Sequence, residues 1–137
     1  MKLRFAAVLL LPCGLAHAEP RITQNDFGGT GLLQTPTARM APAGELSVNA
    51  NRTEPYSRYS VSLQPLDWLE GSFRYTAITN RPYGSEALSG SQSYKDKAVD
   101  VKVRLWQESH WLPDVALGFR DIGGTGLFSS EFFVANK

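Results

Sequence analysis

The sequence has one cysteine, Cys13, and two histidines, His17 and His110. One thiol cannot build a disulfide framework, and so few soft ligands exclude an ordinary zinc centre. The apolar run of residues 5–11 is far short of the roughly 20 residues that a membrane-spanning helix needs, and no later segment reaches that length. Helical periodicity of useful length is also missing. Neither sign of charge dominates, with 14 Lys and Arg against 13 Asp and Glu. There is no basic patch for nucleic acid and no acidic tail. Mean hydropathy is −0.23, which does not fit a helical membrane protein. No cofactor and no metal is expected from this composition.

What is present begins with an export signal. Lys2 and Arg4 precede the apolar residues 5–11, Pro12 and Gly14 break the run, and Ala16-His17-Ala18 offers a cleavage site before Glu19. Cutting between Ala18 and Glu19 removes Cys13 and leaves 12 basic residues against 13 acidic ones, a net charge of −1. The alternative is a lipid anchor on Cys13, although Pro12 directly before it is a poor fit for that processing.

A glycine motif occurs twice. Asp26-Phe27-Gly28-Gly29-Thr30-Gly31-Leu32 returns as Asp121-Ile122-Gly123-Gly124-Thr125-Gly126-Leu127. Neither copy is followed by the Lys of a phosphate loop, and neither opens a helix as a dinucleotide fingerprint would. Both read as structural turns. The first copy lies in a Gly- and Pro-rich leader, residues 19–44, punctuated too often for a regular element. The second lies close to residue 137, and the strand pattern of residues 128–137 has no turn after it. An N-terminal fragment of a longer protein is therefore expected, with a short terminal strand paired inside the chain as the alternative.

From residue 45 the period is two. Leu46, Val48 and Ala50 alternate with polar residues; so do Tyr59, Val61 and Leu63, then Leu69, Phe73, Tyr75 and Ala77, then Val99, Val101, Val103 and Leu105, then Val115, Leu117 and Phe119. This predicts an all-β antiparallel meander over residues 45–137, with residues 80–96 as a long polar loop. Strands with one apolar and one polar face fit two architectures. In a sandwich the apolar faces meet in a core. In an outer-membrane barrel they meet lipid, and the polar faces line the lumen. Strands of roughly 8–11 residues and aromatics near strand ends favour the barrel. Those aromatics are Tyr56, Tyr59, Trp68, Tyr75, Trp106 and Trp111. A closed membrane barrel needs about eight strands or more, so residues 45–137 would be an incomplete one.

Candidates for chemistry are thin. Asp96, Asp100, Glu108 and Asp114 include possible acid pairs for glycoside hydrolysis, but carboxylates on strand faces more often meet a lumen or solvent. His110 beside Trp111 reads as a surface residue. No serine lies in a nucleophile elbow. A non-enzyme is expected. The polar-face residues Asn49, Gln64, Glu70, Arg74, Asp100, Lys102 and Arg104 are the candidates for lumen or glycan contact.

Several segments carry a family resemblance. Residues 31–40 (Gly-Leu-Leu-Gln-Thr-Pro-Thr-Ala-Arg-Met), 59–70 (Tyr-Ser-Val-Ser-Leu-Gln-Pro-Leu-Asp-Trp-Leu-Glu), 73–76, 92–97 and 123–131 together resemble the YjbH/GfcD family, in family order and over nearly all of the mature chain. The resemblance implies outer-membrane β-barrel proteins of Gram-negative bacteria, several times longer than this chain. It also implies a role in exopolysaccharide or capsule production and export. Some members are described as lipoproteins, which bears on Cys13, and no catalytic residues carry over. The implied partners are outer-membrane lipid, an exopolysaccharide and other polysaccharide-assembly proteins. The expected location is the outer membrane. The alternative is a soluble periplasmic β-domain that binds polysaccharide or an assembly partner.

Overall fold

The computed structural model describes residues 22–137. The expected signal segment 1–18 and the residues Cys13, Ala18 and Glu19 lie outside the described residues. The leader contains one small hairpin, β1 (Gly31–Leu32) and β2 (Thr35–Pro36). Six longer strands follow: β3 (Leu46–Thr53), β4 (Tyr56–Leu66), β5 (Leu69–Pro82), β6 (Ser93–Trp106), β7 (Asp114–Arg120) and β8 (Ser130–Asn136). Each pairs antiparallel with the next in a single meander. The fold is therefore all-β, as the period-two pattern requires. Among the described residues β3 and β8 do not pair with each other, so the sheet is open.

The register aligns like with like. Val48, Val61, Phe73 and Val99 lie side by side across four strands on one face. On the other face, Asn51, Arg58, Thr76 and Asp96 form one row, and Glu70, Lys102, Gly118 and Phe132 form another. A slip of one residue in any strand would exchange these faces.

The burial of the two faces is inverted relative to a soluble sheet. Val48 is 76% exposed and Phe133 63%, and Val61, Leu63 and Phe73 are also open. Arg74 is 0% exposed and Lys102 3%, with Arg58, Ser60, Ser62, Gln64, Glu70, Ser72, Thr76 and Asp96 buried beside them. What covers the polar face is the leader. Asn49 and Asn51 of β3 donate to the carbonyls of Asn25 and Asp26, at 3.1 and 3.0 Å. At the far edge, Asn136 of β8 accepts from the Ala38 amide at 2.5 Å. The leader thus crosses the whole sheet, and its backbone polar groups are satisfied partly within the leader and partly by the side chains beneath it.

Two expectations need correction. Residues 80–96 are not one loop. β5 continues to Pro82 and β6 begins at Ser93, leaving a connection that holds the single turn of helix α1 (Glu86–Ser89). Asp96 is fully buried and pairs with Thr76. Polar residues read as a loop because a strand whose polar side is the covered side has the composition of an exposed one. Second, Tyr56 does not lie with the outward aromatics. It shares the inner face with Arg58, whereas Tyr59, Trp68, Trp106 and Trp111 are exposed. The strand expected over residues 128–137 is β8, which pairs with β7 within the chain.

Candidate functional site on the covered polar face

Strand parity brings all seven candidate residues, Asn49, Gln64, Glu70, Arg74, Asp100, Lys102 and Arg104, to the polar face. They do not form one cluster. Gln64 caps the β4–β5 turn by donating to the carbonyls of Leu66 and Leu69, at 2.7 and 2.9 Å. Asn49 holds the leader, as described above. Arg104 lies at the end of the face near the 107–113 turn, beside a recess.

Glu70 and Lys102 stand directly opposite each other on β5 and β6 and form a buried ion pair at 3.1 Å. Both also grip the leader. The Thr30 amide donates to the Glu70 carboxylate at 3.1 Å, and the Lys102 ammonium donates to the Thr30 and Arg39 carbonyls at 3.3 and 3.0 Å. A buried carboxylate and ammonium are tolerable only with such saturation, because an unpaired buried charge costs several kcal/mol.

Next to this pair lies a layer of arginines and aromatics. Arg74 donates to Asp100 at 2.6 Å, and the other Asp100 oxygen accepts from the Asp121 amide at 2.7 Å. Phe27 of the leader inserts among three guanidinium groups. Its ring centre is 4.0 Å from Arg120, 4.9 Å from Arg74 and 5.0 Å from Arg58. Phe128 meets Phe27 edge-on at 6.4 Å and Tyr56 at 5.8 Å. Arginine faces are weakly hydrated and stack on rings, which suits them to a covered polar layer.

The glycine motif acts here through its backbone. Gly28 has φ +99°, and a Cβ there would sit 2.5 Å from the Ser60 side chain. The tight approach lets Ser62 donate to the Gly28 carbonyl. The second copy does a related job. The Thr125 amide bonds the Lys97 carbonyl at 3.0 Å, and its hydroxyl reaches Asp96.

The acidic residues weighed for hydrolysis are engaged elsewhere. Asp100 holds Arg74, and Asp96 holds Thr125. Glu108 and Asp114 both bind the same nitrogen of Arg39, at 2.8 and 3.4 Å. His110 is exposed and packs edge-on against Trp111 at 4.7 Å. Among the described residues no group of three His, Cys, Asp or Glu side chains is placed to hold a metal ion.

Sequence reasoning passed over Arg58, Arg120, Phe27 and Phe128. Extending the β4 alternation one step before Tyr59 places Arg58 beside Ser60, and Arg120 continues the Ala116, Gly118 series. Phe27 carries no periodic signal, because the leader has none.

Comparison with known proteins places the chain. Residues 23–137 match the YjbH family, described as exopolysaccharide biosynthesis protein YbjH. Over 116 residues the chain is 61% identical to a protein of Escherichia coli (strain K12) named uncharacterized lipoprotein YjbH. That match covers 84% of this chain and 17% of the relative, so the chain spans about a sixth of the relative's length. No solved structure matches. With the match extending across the leader and all six strands of the sheet, the chain belongs to the YjbH family of exopolysaccharide biosynthesis proteins.

Proposed function

We propose that residues 22–137 are the first part of the wall of an outer-membrane β-barrel, together with a plug segment lying on its lumen side. The protein would serve exopolysaccharide production or export without a covalent step. The observation that carries this reading is the inverted polarity of the sheet, with charged residues covered and Val48, Val61, Phe73 and Phe133 uncovered. In water such a face is a liability; in a bilayer it is the lipid-facing surface. The outward face of β5 runs from Leu69 to Ala77, nine positions, against the roughly 9–11 residues a tilted membrane strand needs. Exposed Trp68, Trp106 and Trp111 gather at the short-turn end, as interfacial aromatics do. The open edges of β3 and β8 are where further strands of a longer chain would pair.

In this reading the partners are lipid outside, a polysaccharide inside, and other assembly proteins at the periplasmic end. The relative's description as a lipoprotein favours Cys13 as the anchored residue over cleavage at Ala18.

The test is a charge on the outer face of the full-length protein. Val61→Arg, at mid-strand, is expected to cost about 2–4 kcal/mol in membrane insertion. It should deplete the protein from carbonate-washed outer membranes, whereas Arg52→Gln at the strand end should not. Recovery of the wild-type protein in osmotic-shock fluid would overturn the proposal in favour of a soluble periplasmic domain.

A further inference from the structure

Between the leader and the short-turn end of β6–β8 lies a recess of about 510 Å³, within the roughly 300–1,000 Å³ of small-ligand sites. Its charges are unbalanced. Arg39 on its wall is neutralised by Glu108 and Asp114, and the inner oxygen of Asp114 accepts from the Glu108 amide at 2.6 Å. Both nearby carboxylates are therefore occupied. Arg104 is not. Among the described residues its guanidinium makes no ion pair and no hydrogen bond, while its backbone amide bonds the Trp68 carbonyl at 2.8 Å. A half-buried guanidinium on the recess wall with its donors free is suited to a carboxylate or other planar anion.

The rest of the lining is rich in neutral polar groups. Gln107 is exposed to the recess, and Asn136 keeps its amide donors after its oxygen accepts from Ala38. Thr23 donates to the Gly31 carbonyl at 2.7 Å and retains acceptor capacity. Amides and hydroxyls around the Arg104 guanidinium, with the Lys137 ammonium on the same lining held to the His110 carbonyl at 2.7 Å, match a sugar ring bearing a carboxylate.

We infer that this recess binds an acidic sugar unit of the polysaccharide, with Arg104 reading the carboxylate. The inference rests on the proposed lumen role of this face. It adds the class of glycan, acidic rather than neutral, and the end at which it is met.

The experiment uses the full-length protein in detergent and calorimetric titration with oligogalacturonate, against a neutral galactan oligomer of equal length. The acidic oligomer should bind and weaken with added salt, and the neutral one should bind at least tenfold more weakly. Arg104→Gln should weaken the acidic oligomer about tenfold, as loss of one charge-assisted hydrogen bond does. Arg104→Lys should recover part of it, and Arg52→Gln should change nothing. Equal binding of both oligomers, no binding of either, or an unchanged affinity in Arg104→Gln overturns the inference. Recovery of the same preparations from carbonate-washed outer membranes tests the barrel reading separately. A protein that is membrane-integrated yet indifferent to oligogalacturonate refutes only the acidic-sugar site.

Discussion

Breaking the Glu70–Lys102 pair should release the leader without unfolding the sheet. The two charges are 3.1 Å apart and nearly fully covered. At an effective dielectric constant of about 20, their gross attraction is about 5 kcal/mol. Removing one partner leaves the other buried and unpaired, at a cost of about 3–5 kcal/mol. Glu70→Gln keeps an oxygen for the Thr30 amide and removes only the charge, so the lower figure applies. The strain is relieved most cheaply by lifting residues 22–44 and hydrating Lys102, since the six-strand ladder does not pass through the leader. A cost of about 3 kcal/mol corresponds to roughly a hundredfold more open leader. Hydrogen exchange in the full-length protein, followed by mass spectrometry of the 22–44 segment, should show amides there exchanging about a hundredfold faster. Amides of β4 and β5 should keep their protection. Replacing both partners, Glu70→Gln with Lys102→Met, removes the stranded charge. The double variant should be closer to wild type than the sum of the single variants by at least about 1.5 kcal/mol. Additive effects, or equal acceleration in the leader and the sheet, would refute the view that this pair is a latch.

Gly118→Ala should loosen the β7–β8 pairing by about 1–3 kcal/mol, because the Phe132 ring lies directly over Gly118 and leaves no room for a methyl group. Thermal melting of the full-length protein should show the loss, and combining it with Phe132→Leu should restore much of it. Intact mass of the mature protein should show a lipid-modified N-terminus at Cys13, and Cys13→Ser should abolish it; an unmodified chain starting at Glu19 would return the N-terminus to simple cleavage.

The strands were legible because alternation is a local property. Leu46, Val48 and Ala50 against Ser47, Asn49 and Asn51 fix a strand and its two faces without knowledge of anything else. Alternation does not say which face is covered. That depends on a second body, and here the body is the aperiodic leader, whose docking is written in Gly28, Thr30 and Phe27 rather than in any pattern. The same ambiguity hid the ends of β5 and β6. Asp96 and Lys95 look like loop residues until Thr76 and Ala77 are set opposite them. Arg58 was missed by one position, at the edge of a turn, where strand boundaries are least determined by sequence.

The repeated glycine motif gains a physical meaning from this arrangement. Its copies occupy different contexts: one lies over the sheet, the other connects β7 to β8. Yet each directs a threonine to an inner-face carboxylate, Thr30 to Glu70 and Thr125 to Asp96. Each also lies near an aromatic that enters the same arginine layer, Phe27 within the first copy and Phe128 just after the second, with Arg74 4.9 and 5.7 Å from their centres. Glycines suit this task because a segment laid on a polar face must bring its backbone, not its side chains, to the waiting groups. The two copies therefore bind one charged face from two directions, the first from the leader and the second from the long-loop end. Buried charge on that face is found where such cover exists, at Glu70, Lys102 and Asp96, and the first copy extends to the recess beside Arg104, whose wall includes Thr30, Gly31 and Leu32.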